Sequence, residues 1–253
     1  MDLKVDLGGR RVLVTGASSG IGAAACRSIV TAGGSVGMLA RRKERLDELR
    51  AELGERALPV PCDVTDLDAL QASVGEAARS LHGLDGVVAV AGKSMVGTIM
   101  TGTPERWRDL LNLNLVGPLA TVRYAVGHFP IEGRRDVVLV ASTGSITPMA
   151  GVGIYAASKR GLRAAFDALR LELAPAGVNT SCVMPGMFET EGLTIEGMAF
   201  DGDVPPDNIP WFAPDSGPAS ATDLADTIAF MISRPEGFCI HELVVRPTGQ
   251  LNP

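Results

Sequence analysis

Tyr155 and Lys159 stand four residues apart in Tyr155-Ala156-Ala157-Ser158-Lys159, a separation at which side chains meet on one face of a helix. That face continues through Leu162, Phe166, Leu169 and Leu173, so the ammonium opens a stripe that then becomes wholly apolar. A lysine that only solvated its helix would sit on the opposite face. The plain alternative is a lysine that buries its stem beside an ordinary core tyrosine. Ser142 weighs against it, because it lies thirteen positions before Tyr155 and just past the apolar run 137–140, where a strand end and a helix start converge. A free phenol titrates near pH 10, and a neighbouring positive charge favours its ionised form. Phenol, ammonium and hydroxyl together make an acid-base pair with an orienting hydrogen bond, suited to an oxygen that alternates between carbonyl and alcohol.

The elements that must hold these groups alternate along the chain. Apolar runs at 12–14, 36–40, 57–60, 87–90, 137–140, 178–183 and 243–245 read as strands. Helical patterns fall between them, including a charged helix at 43–53, one at about 104–128 and one at about 152–173. Short continuous Val and Leu runs separated by helices are what a parallel sheet buried on both faces requires. The expected fold is therefore α/β, a doubly wound, Rossmann-like parallel sheet in three layers. One domain of 1–253 is expected, since α/β chains of roughly 200 to 250 residues commonly form single units. The long irregular stretch 191–219 carries Met198, Phe200, Trp211 and Phe212. Disordered segments are poor in aromatics, so it is read as a substrate lid.

Ligands of such sheets bind outside the carboxyl ends of the strands. The first strand runs into Thr15-Gly16-Ala17-Ser18-Ser19-Gly20-Ile21-Gly22, where glycines let backbone approach a pyrophosphate at the positive end of a helix. At the end of the second strand, where an acidic residue would hold the ribose 2′-hydroxyl of NAD, the sequence has Ala40 followed by Arg41 and Arg42. Arginine chelates phosphate, so NADP is expected over NAD. Asp63, beside Val64 at the end of the third strand, could accept from the adenine amino group; its other reading is a helix cap.

The turn matches the T-G-x-x-x-G-x-G of the short-chain dehydrogenase/reductase family, and the chain resembles that family from about residue 10 to its end. Tyr155 and Lys159 match its Y-x-x-x-K, and Ser142 keeps the family separation. Asn114, in Asn112-Leu113-Asn114-Leu115-Val116-Gly117, matches its active-site asparagine, which bends its helix and completes a water-mediated relay to the lysine. Pro185-Gly186-Met187-Phe188-Glu189-Thr190 resembles its P-G-x-x-x-T, in which the threonine contacts the nicotinamide carboxamide. The fourth strand end departs from the family: N-N-A-G reads Ala89-Val90-Ala91-Gly92, which puts local stability in doubt more than chemistry. The resemblance implies hydride transfer between NADP(H) and a carbonyl or secondary alcohol, with Tyr155 as general acid and base, Ser142 orienting the oxygen, and Lys159 lowering the phenol pKa and holding the ribose. The cofactor would lie along Gly16, Ser18, Ser19, Gly20, Ile21, Gly22, Arg41, Arg42, Asp63, Val64, Ala91, Gly92, Pro185, Gly186 and Thr190. A homotetramer through the helices at 104–128 and 152–174 is implied too, with Ala164, Ala165 and Ala168 permitting close packing.

Composition narrows the rest. A net charge of -6 disfavours nucleic acid, which calls for a concentrated basic surface. No run reaches the roughly 18 apolar residues of a membrane span, and no leader pattern precedes the first strand, so a cytoplasmic protein is expected. Cys26, Cys62, Cys182 and Cys239 lack metal or redox spacing; buried thiols and no metal site are expected. Ser145, Met149, Met187 and Phe188 suggest a mainly apolar substrate pocket. The competing class is a catalytically silent NADP-binding regulator or scaffold, favoured only by the altered fourth strand end.

Overall fold

The computed structural model describes residues 4–191, 199–203 and 212–251. Its strands are β1 (Arg11–Thr15), β2 (Ser35–Ala40), β3 (Ala57–Pro61), β4 (Gly86–Ala89), β5 (Met95–Val96), β6 (Arg135–Val140), β7 (Val178–Pro185), β8 (Ala199–Phe200) and β9 (Glu242–Val245). Its α-helices are α1 (Gly20–Thr31), α2 (Lys43–Leu53), α3 (Leu67–Ser80), α4 (Pro104–Leu111), α5 (Gly117–Val126), α6 (Gly153–Leu173) and α7 (Ala221–Ile232). Seven strands form one sheet in the order β3-β2-β1-β4-β6-β7-β9, every neighbouring pair parallel. This is the expected doubly wound sheet, and its winding reverses between β1 and β4.

Strand residues alternate between two cores. Val12 and Val14 of β1 join Val36 and Met38 of β2 against α1, α2 and α7. Leu13 and Leu39 point the other way, with Val87, Val137 and Leu139, toward α3, α5 and α6. Burial on both faces is why the strands read as unbroken apolar runs. Leu162 and Phe166 are fully buried in the second core, with Leu169 and Leu173 packed at its margin, so the stripe that begins at Tyr155 anchors α6 to the sheet.

Two features depart from the expected elements. The single helix expected at 104–128 is α4 and α5 joined by a π-helical turn, Asn112–Val116. β5 and β8 form a separate two-stranded parallel sheet. It is secured by the buried carboxylate of Asp201, which accepts from the Thr103 amide at 2.8 Å and Trp107 Nε1 at 2.9 Å. Part of the segment read as a lid is thus fixed structure, whereas 192–198 and 204–211, with Met198 and Trp211, lie outside the described residues.

Cys26, Cys62 and Cys182 are buried free thiols and Cys239 is half-buried; burial pushes Cys26 and Cys182 up to about 12. Among the described residues, no cluster of His, Cys, Asp or Glu is arranged to hold a metal ion, and no helix is long and apolar enough to cross a membrane.

Candidate active site

The site is built where β1, β4 and β6 end. β1 stops at Thr15 because Gly16 turns the chain at φ +69°, in the left-handed region that favours glycine. A Cβ on Gly22 would lie 2.2 Å from the Gly16 carbonyl oxygen, so the first turn of α1 can close on β1 only with glycine there. Ser19 caps α1 without a side-chain bond to it. The amides of that turn are therefore not taken by the cap side chain, which leaves them to an anion at the helix N-terminus. The serine hydroxyls serve a different partner: Arg42 donates to Ser18 Oγ from Nε at 3.1 Å and from Nη2 at 3.0 Å, and to Ser19 Oγ at 2.6 Å. Arg41 lies 3.5 Å from Asp63. Asp63 Oδ1 also accepts from the Thr65 amide and hydroxyl, and its pKa is lowered: burial opposes the carboxylate, but these bonds and Arg41 outweigh it. The helix cap itself is Asp66, which accepts from Ala69. The glycine cradle and the helix N-terminus fit a nicotinamide dinucleotide.

The altered fourth strand end is held by Thr15 and Asn114. Thr15 Oγ1 accepts from the amides of Val90 and Ala91, each at 3.1 Å. Beyond Gly92, Asn114 clasps Lys93, its Oδ1 accepting from the Lys93 amide and its Nδ2 donating to the Lys93 carbonyl, both at 2.9 Å. Asn114 is fully buried, and the π turn supplies the extra residue that swings it out of the α-helical ladder. Nδ2 also donates to Ser158 Oγ at 3.1 Å, and Ser158 donates to the Tyr155 carbonyl at 2.6 Å. One amide side chain thereby ties the β4 loop to the first turn of α6.

Ser142 lies against the Tyr155 ring, since a Cβ on Gly144 would meet Ser142 Oγ at 3.5 Å and Tyr155 Cε1 at 3.6 Å, and the Ser142 and Ser94 hydroxyls both favour the ionised phenol. Ser142 Oγ also accepts from the Gly144 amide at 3.1 Å, which fixes its rotamer. Lys159 is 4% exposed and donates to the Val140 carbonyl at 3.0 Å, at the end of β6. A Cβ on Gly92 would fall 3.2 Å from its Nζ and 3.1 Å from Asn114 Oδ1, so bare backbone walls this ammonium. Burial pulls Lys159 down to about 8. Tyr155 moves upward because burial outweighs its bonds to Ser142 and Ser94. The ammonium is turned to Val140, and desolvation is the larger effect on the phenol.

The structure thus brings Asn114, Ser142, Tyr155 and Lys159 together beside the glycine turn, with Ala91 and Gly92 between. Two expected pocket residues are elsewhere. Ser145 is fully buried beneath Ser142, donating to its carbonyl at 2.6 Å. Phe188 is 4% exposed and belongs to the core under α1 and α7, where its backbone is bridged to Ala219. Ser94, which acts on the Tyr155 phenol, follows the departure from the family pattern, where no spacing marks it. Thr190 packs on Gly20, to which a Cβ would bring its Cγ2 within 3.0 Å.

Comparison with known proteins agrees with this geometry. The family model described as short chain dehydrogenase matches residues 10–196. A glycine betaine reductase of Emericella nidulans is 32% identical over 250 residues, covering 96% of this chain, while the chain spans only 19% of that protein. Among solved structures, a short-chain dehydrogenase of Burkholderia cenocepacia in complex with NADP has a TM-score of 0.80 at 27% identity, over 96% of this chain and 98% of that one. A 3-ketoacyl-(acyl-carrier-protein) reductase of Brucella melitensis complexed with NADH has a TM-score of 0.82 at 25% identity, over 95% and 98%. With the matched model reaching from β1 past Thr190, through every element that contributes to the site, the chain belongs to the short-chain dehydrogenase family of oxidoreductases.

Proposed function

We propose that the protein interconverts a carbonyl and a secondary alcohol with NADP(H), using Tyr155 as general acid and base. The observation that carries this reading is the meeting of Tyr155 with Ser142, and of Lys159 with Gly92 and Asn114, at the strand ends beside the glycine turn. The reduced nicotinamide, when bound, supplies the hydride to the carbonyl carbon. Tyr155, a phenol protonated near neutral pH, passes its hydroxyl proton to the carbonyl oxygen as that oxygen becomes an alcohol. Ser142 donates to the same oxygen and orients it. Lys159 stands ready to balance the phenolate that remains, and Asn114 holds the loop that walls the ammonium. Oxidation of the alcohol runs the proton back to Tyr155.

Three further readings belong to this proposal. Arg41 and Arg42 after Ala40, together with the NADP held by the Burkholderia neighbour, support NADP; the NADH in the Brucella neighbour marks the competing choice. Met149, Met187 and the segment 191–219 would enclose a mainly apolar substrate. Exposed Ala164 and Ala168 on α6 suit close packing of a second copy, as the proposed tetramer requires.

Fluorescence titration with NADPH and NADH, with NADPH consumption over a ketone panel by wild type and Tyr155→Phe, tests the reading. NADPH binding by both proteins with turnover only in wild type is the expected result. Equal turnover by both would remove Tyr155 from the proton transfer, and folded protein that binds neither nucleotide would overturn the whole assignment.

A further inference from the structure

The arginine that faces the glycine turn already holds an anion from its own chain. Arg42 Nη1 donates to Glu191 at 2.8 Å, while its Nε and Nη2 donate to Ser18 and Ser19. Arg45 flanks the same carboxylate at 3.7 Å. The hydrogen bond from Arg42 is the main reason the Glu191 pKa is lowered, with Ser19 and Arg45 contributing. The neighbouring Thr190 rests on Gly20. Just upstream the chain is pinned, because Met187 donates to Gln250 at 2.8 Å and Glu189 to the Ala219 carbonyl at 2.8 Å. The pair Thr190-Glu191 therefore reaches from a fixed stem across the phosphate-binding turn and sets a carboxylate on the cation expected to recognise a phosphate.

We propose that Glu191 is a specificity-determining residue, an internal anion that competes with the 2′-phosphate of NADP(H) for Arg42. The proposal rests on the NADP reading given above. A carboxylate and a phosphate dianion repel each other, and Arg42 cannot present the same edge to both. Binding of the phosphate breaks the Glu191 contact and lifts Thr190-Glu191 off the turn; a nucleotide without that phosphate leaves the Arg42–Glu191 pair in place. Glu191 thus weakens NADPH selectively and narrows its margin over NADH. The pair is half exposed, with side chains 45% and 49% accessible, so the effect is modest: about fivefold in affinity, the upper range for an exposed ion pair.

Calorimetric titration of wild type and Glu191→Gln with NADPH, NADH, 2′,5′-ADP and 5′-AMP reads this without turnover. The expected result is tighter binding of NADPH and 2′,5′-ADP by about fivefold in the variant, with NADH and 5′-AMP within twofold. In wild type, amide hydrogen exchange at 190–191 should rise on adding 2′,5′-ADP and stay constant with 5′-AMP. A variant that gains equally for all four nucleotides, or for none, overturns the proposal while leaving the NADP reading intact. Weaker NADH binding in the variant overturns it in the opposite sense, by making Glu191 an acceptor for the ribose 2′-hydroxyl. Wild-type preference for NADH over NADPH would instead overturn the NADP reading itself, and the proposal with it.

Discussion

The two ends of the sheet use the same chemistry in opposite ways. At the amino ends, Asp136 takes Arg10 at 2.6 Å and Arg134 at 2.7 Å with its own side chain 4% exposed, and Asp85 takes Arg11 at 2.6 Å. At the carboxyl ends, Arg41 meets Asp63 at 3.5 Å and Arg42 meets Glu191 at 2.8 Å, all four side chains more than a third exposed. Breaking a buried pair leaves an uncompensated charge in a poor solvent and costs about 3–5 kcal/mol, whereas an exposed pair is worth about 0–1 kcal/mol. The amino end is a closed network that ties β1, β4, β6 and the end of α7 together. The carboxyl end keeps its ions where a ligand can exchange with them.

That contrast can be broken at either end. The largest effect is expected from Tyr155→Phe, with turnover down by about 10²–10⁴-fold and unfolding midpoint and nucleotide affinity nearly unchanged; comparable losses in all three would mean that the site also carries the fold. Next, Asp136→Asn should cost about 3 kcal/mol in urea unfolding, since two arginines lose their carboxylate, with kcat per folded molecule preserved. A drop below 1 kcal/mol would deny the amino end its structural role.

Lys159 sharpens the comparison through pH. Its folded pKa of about 8 lies below the ordinary 10.5, so the unfolded chain binds more protons between those values, and this group makes stability rise with pH across that window. Reduction should behave the other way. The ammonium is present below about 8 and lost above it, so kcat/KM for ketone reduction should be level below that pH and fall about tenfold per unit above it. A profile flat to pH 10 would show that the charge is not needed. The smallest of these effects is Arg42→Ala, expected to weaken NADPH by about tenfold through loss of charge-assisted bonds and to leave NADH within twofold in the same fluorescence titration.

Much of this was legible in the sequence because the sheet is buried on both faces. Val12 and Val14 serve one core and Leu13 the other, so the inner strands had to be apolar runs with helices as their crossovers. The meeting of Tyr155 and Lys159 with the end of β6 followed from a four-residue spacing and one strand end. Other features leave no local signal. β5 and β8 are two residues each, too short for any periodicity, and Asp201 is buried only because Thr103, Trp107 and Arg106 come to it from far along the chain. Ser145 and Phe188 were misplaced because sequence proximity to Ser142 and Pro185 does not reveal which way a tight turn aims each side chain. The direction of the Tyr155 shift depends on how deeply the ring is buried, a property of the assembled core rather than of spacing.

The π turn between α4 and α5 carries a consequence for how this chain can change length. A π turn holds one residue more than the α turn it replaces, and each residue rotates an α-helix by about 100°. Deleting a single residue within Asn112–Val116 would let the helix close into a regular spiral, turning Asn114 away from Lys93 and Ser158 while every remaining side chain kept its identity. Position 114 is therefore defined by counting as much as by chemistry. An asparagine there is useful only while its helix stays one residue too long.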